Sequence, residues 1–190
     1  NAVTGLATAY MDSIPMVVIS GQVPKTIIGT DGFQEIDAIG ISRPCTKHNY
    51  LVNKIEDLSK VLKEAFYIAS TGRPGPVHID IPKDVTAELG DFDYDKEINT
   101  PTYKPSSKGN KKQVKKAIEV IRTSKRPLLY VGGGVVLSDS GYKVREFAKK
   151  FNIPAVETLM ARGVMGSKNS LLFGMLGMHG TYEANMAMYE

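Results

Sequence analysis

The sequence predicts an α/β fold made of two partial three-layer units, each with a mostly parallel sheet. Three observations carry this expectation. Short apolar runs alternate with stretches of helical periodicity from Asn1 to about Val85. The same alternation resumes after about residue 110, and the stretch between mixes acids, Pro101, Pro105, paired serines and Gly109 without sustained periodicity. Repeated βαβ order with short connections argues for parallel strands covered by helices. The expected organisation is residues 1–85, a linker over 86–110, and a second unit over 111–190.

In the first unit, Val3, Leu6, Ala7 and Tyr10 form one stripe of an opening helix. Met16 to Ser20 is a short apolar run of the kind buried on both faces of a sheet, ended by Gly21-Gln22-Val23-Pro24. After the loop Gly29 to Glu35, the stretch Glu35 to Gly40 resumes a helix-like pattern, followed by an expected strand over Pro44–Val52. Leu58, Val61, Leu62 and Ala65 share a helix face, and Asn53 with Glu56 three residues later resembles a capping box. Thr71-Gly72-Arg73-Pro74-Gly75 ends that helix, and Pro76–Ile81 reads as another strand.

In the second unit, Val114, Ala117, Ile118 and Ile121 make a helical stripe that closes at Arg126-Pro127. The strand Leu128–Val131 follows, and Gly132-Gly133-Gly134 is expected to turn the chain. A helix with Val144, Phe147, Ala148 and Phe151 on one side then leads to the strand Ile153–Val156. Phe173 to Gly180 is a glycine-rich approach to a last helix, with Thr181 as its cap. The first helical stripe begins at once and the last has no stop signal, so both ends read as cut from a longer polypeptide.

The 190 residues are 42% hydrophobic and 23% charged, the balance of a soluble globular protein. The net charge is +4, and its densest stretch, Lys108 to Lys116, lacks interleaved aromatic side chains. That favours a solvated face over a nucleic-acid site. The single cysteine, Cys45, excludes an intrachain disulfide and fits a reducing compartment; the expected localisation is cytoplasmic, or organelle stroma or matrix in a eukaryote. No apolar run approaches the roughly 20 residues that a membrane span needs.

Gly29-Thr30-Asp31-Gly32-Phe33-Gln34-Glu35 joins a strand to a helix with flexible glycines, a large aromatic and a neutral amide. In parallel sheets ligands sit at the carboxyl ends of strands, so this loop is a candidate ligand shelf or an ordinary βα connection. Lys83 follows a strand directly and can offer charge to an anionic substrate, and Arg73, on a stiff turn, can present its fork to a phosphate. The triple glycine misses the G-x-G-x-x-G spacing, because position 137 is Leu. Thr158–Gly166 and Gly174–Gly180 would nevertheless end strands on the same side, where backbone can approach a long planar ligand. His48, His78 and His179 lack metal-ligand spacing; His78 reads as a satisfied core residue and His179 as ligand-facing.

Several short motifs, in order, extend this reading. They are Asn1-Ala2-Val3-Thr4-Gly5, Ser20-Gly21-Gln22-Val23-Pro24, the loop 29–35, Lys47-His48-Asn49-Tyr50, Gly72-Arg73-Pro74-Gly75-Pro76-Val77, Asp80-Ile81-Pro82-Lys83-Asp84-Val85 and Leu176-Gly177-Met178-His179-Gly180-Thr181. Together they resemble the large catalytic subunit of acetolactate synthase, or acetohydroxyacid synthase, nearly end to end. The resemblance implies a thiamine diphosphate enzyme that decarboxylates pyruvate and joins the two-carbon unit to a second 2-keto acid in branched-chain amino acid synthesis. It places residues 1–85 in the rear of the pyrimidine-binding domain and residues from 111 in the front of the Rossmann-like, FAD-associated central domain.

By the same resemblance, Asn1 and Gln34 lie near the thiamine pyrimidine, Phe33 beside the substrate and Lys83 along the substrate channel. Arg73, Gly132, Gly133, Gly134, Thr158, Leu159, Met160, Met178, His179 and Gly180 would contact FAD. The parent would be a homodimer or higher oligomer, with a possible regulatory subunit. The family's activating glutamate and its diphosphate and Mg²⁺ site would lie outside these residues, so the 190 residues alone are expected to be inactive. Two departures stand out: Gly32 replaces a usual alanine, and Ala161-Arg162 replaces a usual Gly-Leu, which would bring a charge near FAD. The alternatives are another thiamine diphosphate-dependent decarboxylase or oxidase, and a non-catalytic nucleotide-binding module.

Overall fold

A computed structural model describes residues 1–93 and 97–190; of the expected linker, residues 94–96 lie outside the described residues. The chain forms an α/β fold with two parallel three-stranded sheets, one in each of two compact units, Asn1–Lys108 and Gly109–Glu190.

The first unit opens with helix α1 (Ala2–Asp12), which buries Leu6 and Ala9. Strand β1 (Met16–Gln22), the short helix α2 (Ala38–Ser42) and strand β2 (His48–Leu51) follow. The long helix α3 (Ile55–Ser70) leads to strand β3 (Pro76–Pro82). The sheet order is β1-β3-β2. That order corrects the expectation that the Met16 run is buried on both faces: β3 holds the centre and is buried almost throughout, whereas β1 pairs with β3 alone and leaves Ile19 57% exposed.

One face of β3 presents Val77 and Ile79 to an apolar core with Val52, Val61, Ala65, Ile68, Ala69 and Val85. This is the face covered by the amphipathic stripe of α3. Contrary to expectation, Asn53 is not the cap residue of α3. The residue preceding α3 is Lys54, which makes no side-chain cap, and the Ile55 N–H instead donates to Glu88 Oε2 at 3.3 Å. Lys25 completes this junction by donating to Glu88 Oε1 at 2.9 Å and to the Asn53 carbonyl at 3.0 Å. A distant carboxylate satisfies a first-turn amide where the local polar side chain does not.

The second unit contains α4 (Lys111–Thr123), β4 (Leu129–Val131), α5 (Gly133–Leu137), α6 (Gly141–Phe151), β5 (Ala155–Glu157), β6 (Leu172–Met175) and α7 (Tyr182–Tyr189). Its sheet order is β4-β5-β6. Val131, Ala148, Ala155, Ala161, Val164 and Met165 form the core. Gly133 and Gly134 are not a turn, as expected, but the first residues of α5, with Gly132 preceding it in an extended conformation. The apolar stripe of α4 is real as a pattern but buries no residue. Thr181 caps α7 as expected, accepting from the Ala184 N–H at 3.2 Å. Among the described residues no helix is long and apolar enough to cross a membrane.

Candidate functional site

In the first unit the three parallel strands end on one side, and there the chain builds a cavity of about 390 Å³. Gln22 from β1, Leu51 from β2 and Asp80 from β3 form its floor, and Ile28, Gly29, Glu35, Ile36 and Ala38 its wall. The lining is mostly apolar with a few fixed polar groups, as small-molecule sites are.

Glu35 shapes the wall. Its carboxylate accepts backbone N–H groups from Gly29, from Thr30 at 3.2 Å and from Gly32 at 3.2 Å. These amides, Gly29 first, hold the Glu35 carboxyl below its ordinary range. The loop turns through left-handed backbone at Gly29, Asp31 and Gln34, the last with φ 62°. Phe33 therefore projects outward, 90% exposed, with Gln34 exposed beside it. Gly32 has a packing reason as well: a Cβ there would come within 2.3 Å of Ile27 Cγ2, so the usual alanine would displace that side chain.

Lys83 leaves β3 at the same edge. Its N–H donates to the Gln22 carbonyl at 2.9 Å, and its ammonium has no ion-pair partner among the described residues. Asn1 precedes α1 and makes no side-chain cap. Arg73 is already engaged: Nε donates to Ser13 Oγ at 2.8 Å and Nη2 to the Met11 carbonyl at 3.0 Å, so the guanidinium closes the carboxyl end of α1.

The floor holds Asp80, to which the sequence assigned no role of its own, and on the same face of β3 lies His78, the satisfied core residue expected. Asp80 is fully buried and accepts from Ser20 Oγ at 2.6 Å and Gln22 Nε2 at 2.9 Å. His78, also buried, bonds Ser20 Oγ through Nε2 at 2.6 Å and Ser42 Oγ through Nδ1 at 2.8 Å. Burial pushes its pKa down, against the charge of Asp80. The signal was the alternation in Val77-His78-Ile79-Asp80-Ile81, which puts two polar groups on one face of a central strand.

In the second unit the carboxyl ends of β4, β5 and β6 also share a side, and the expected FAD-contacting residues there cluster along it. Gly133 backs onto Met160, with a built Cβ 3.0 Å from Met160 Cβ. Around Gly132 and Gly134 there is open space. Thr158 Oγ1 is buried with no hydrogen-bond partner among the described residues. Leu159 and Met178 are 72% and 92% exposed, and His179 is exposed beside Met178. Gly180 is packed hard against backbone, since a Cβ would lie 2.3 Å from the Met175 carbonyl oxygen. Asn185 pins the same turn, accepting from the Gly177 N–H at 2.8 Å and donating to its carbonyl at 3.1 Å.

Glu157, missed in the sequence, anchors the segment between them. Fully buried, it accepts from the Met165 N–H at 2.7 Å and the Gly163 N–H at 3.2 Å. Arg162, whose charge was expected near FAD, pairs with it at 3.5 Å. Among the described residues no group of three His, Cys, Asp or Glu is arranged to hold a metal.

Comparison with known proteins finds matches in both units. Residues 1–41 match the thiamine pyrophosphate enzyme N-terminal TPP binding domain, and residues 114–190 match the thiamine pyrophosphate enzyme central domain. These matches support thiamine diphosphate as the cofactor. The acetolactate synthase large subunit of Buchnera aphidicola subsp. Schizaphis graminum is 51% identical over 191 residues, covering all of this chain and 34% of that protein. The acetolactate synthase isozyme 3 large subunit of Escherichia coli K12 is 47% identical over 192 residues, covering all of this chain and 33% of that protein. A probable acetolactate synthase large subunit of Methanocaldococcus jannaschii is 46% identical over 195 residues, with the same coverage. The chain thus spans about a third of the length of these relatives. Two thiamine pyrophosphate enzyme domains are matched in order, and the whole chain is similar to about a third of an acetolactate synthase large subunit.

Proposed function

We propose that the full polypeptide carrying this sequence is an acetolactate synthase large subunit, which decarboxylates pyruvate and joins the two-carbon unit to a second 2-keto acid in branched-chain amino acid synthesis. The observation that carries the proposal is similarity to large subunits across all 190 residues. On this reading residues 1–85 supply the rear of the pyrimidine-binding domain, 86–110 the linker and 111–190 the front of the central domain. Bound thiamine diphosphate supplies the electron sink for decarboxylation.

The residues of this chain then have definite tasks. Phe33 keeps water from the reacting end of the site, and Gln34 and Asn1 offer neutral hydrogen-bonding groups to the pyrimidine. The free ammonium of Lys83 draws in the carboxylate of a 2-keto acid. FAD fits the second shelf: Thr158 Oγ1 is a buried hydroxyl awaiting a partner, and the open space at Gly132 and Gly134 admits a ligand close to backbone. Gly133, Leu159, Met160, Met178, His179 and Gly180 complete that surface. Magnesium is held by residues outside this sequence. The protein works as a homodimer or higher oligomer, with or without a regulatory subunit, in the cytoplasm or in an organelle stroma or matrix.

The test is a product assay on the full-length protein with pyruvate, thiamine diphosphate, Mg²⁺ and FAD. Acetolactate is the expected product. Release of acetaldehyde or acetate without carbon–carbon bond formation would reassign the protein to a related decarboxylase or oxidase.

A further inference from the structure

We propose that buried Asp80 and Gln22 are positioning residues whose hydrogen-bond relay holds the Phe33–Gln34 loop in place over the strand-end cavity. This rests on the reading of that loop as part of the active site.

Strand β3 presents His78 and Asp80 on the face opposite its apolar core, and the β1–β3 register sets Ser20 beside Asp80. No cation lies within ion-pair distance of Asp80 among the described residues. A buried carboxylate with only neutral partners is costly, and an apolar side chain would serve stability better. Its hydrogen bonds instead lead outward. Gln22 spends its whole amide: Nε2 donates to Asp80 Oδ2 at 2.9 Å and to the Ile36 carbonyl at 2.8 Å, while Oε1 accepts from the Val23 N–H at 2.9 Å.

Ile36 directly follows Glu35, whose carboxylate gathers the amides at the other end of the loop. Phe33 and Gln34 sit between these two anchors, and the left-handed backbone at Asp31 and Gln34 is a conformation that relaxes when an anchor is released. The orientation of the carboxylate is fixed in turn. Ser20 donates to Asp80, so it accepts from Nε2–H of His78, whose Nδ1 accepts from Ser42. The relay therefore runs from α2 through the sheet to Asp80 and back out to the loop.

The experiment compares Gln22→Met and the double variant Gln22→Glu with Asp80→Asn in the full-length protein. The first removes the amide at similar length. The second restores a bond between positions 22 and 80 while leaving the Ile36 carbonyl without its donor. Both are expected to raise hydrogen exchange over residues 27–37 about tenfold, the loss of one net hydrogen bond. Exchange in α3 stays near wild type in both; the double variant, whose positions 22 and 80 remain bonded, also unfolds near the wild-type midpoint, whereas Gln22→Met unfolds a few degrees lower because buried Asp80 loses a donor. KM for pyruvate rises more than kcat falls. Unchanged exchange over 27–37 in both variants overturns the relay whatever the activity does. Raised exchange with unchanged KM and kcat upholds the relay and removes the loop from the active site.

Discussion

Gly133 packs against Met160 across the ends of β4 and β5, so closely that a Cβ at position 133 would lie 3.0 Å from Met160 Cβ. Positions 132 and 134, on either side, face open space. The three glycines therefore separate by experiment. Gly133→Ala should destabilise the protein by about 1–3 kcal/mol through overpacking. Gly134→Ala, within α5, should be neutral or stabilising by up to about 1 kcal/mol. Urea denaturation of each variant measures this. If backbone at this edge approaches FAD, Gly132→Ala and Gly134→Ala will lose flavin, read by absorbance of the purified protein, without losing stability.

Glu157 is the second test. Removing its carboxylate leaves the buried Met165 amide without an acceptor and frees Gly163 and Arg162. Glu157→Ala should cost about 2–4 kcal/mol and Glu157→Gln about half of that, because the glutamine oxygen still accepts from Met165. The comparison is made by denaturant midpoint.

Glu35 makes the loop acid-sensitive. Its folded-state pKa lies below the ordinary value of 4.5, so its stabilisation is fully present above that value and is lost as pH falls through the folded pKa. Amide protection at Gly29, Thr30 and Gly32, corrected for intrinsic exchange, should fall with pH below 4.5. In Glu35→Gln it should be low throughout and independent of pH over that range.

Lys47 closes the carboxyl end of α3. Its ammonium donates to the Ile68 carbonyl, to the Thr71 carbonyl at 2.7 Å and to Tyr103 Oη at 3.0 Å. The Tyr103 hydroxyl itself donates to Thr71, which straps part of the expected linker to the first unit. Lys47→Met should cost about 1–2 kcal/mol through lost charge-assisted bonds at a helix C-terminus. Tyr103→Phe should cost less and leave Lys47 in place. Thermal unfolding of both variants tests this order.

The sequence by itself determined the α/β class, the positions of most strands and helices, and the loop 29–35 and triple glycine as strand-end features. These depend on periodicity and on residues close in the chain, as at Thr181, whose cap reaches only to Ala184. Tertiary structure decided what lies far apart in sequence. It placed β3 rather than β1 at the centre of its sheet, gave the start of α3 to Glu88 instead of Asn53, and turned the fork of Arg73 onto α1. It also paired Ser20 with Asp80, 60 residues away, through strand register. The physical reason is common to all four. A backbone or side-chain polar group takes whichever partner the packed fold brings within reach, and sequence separation does not enter that energy.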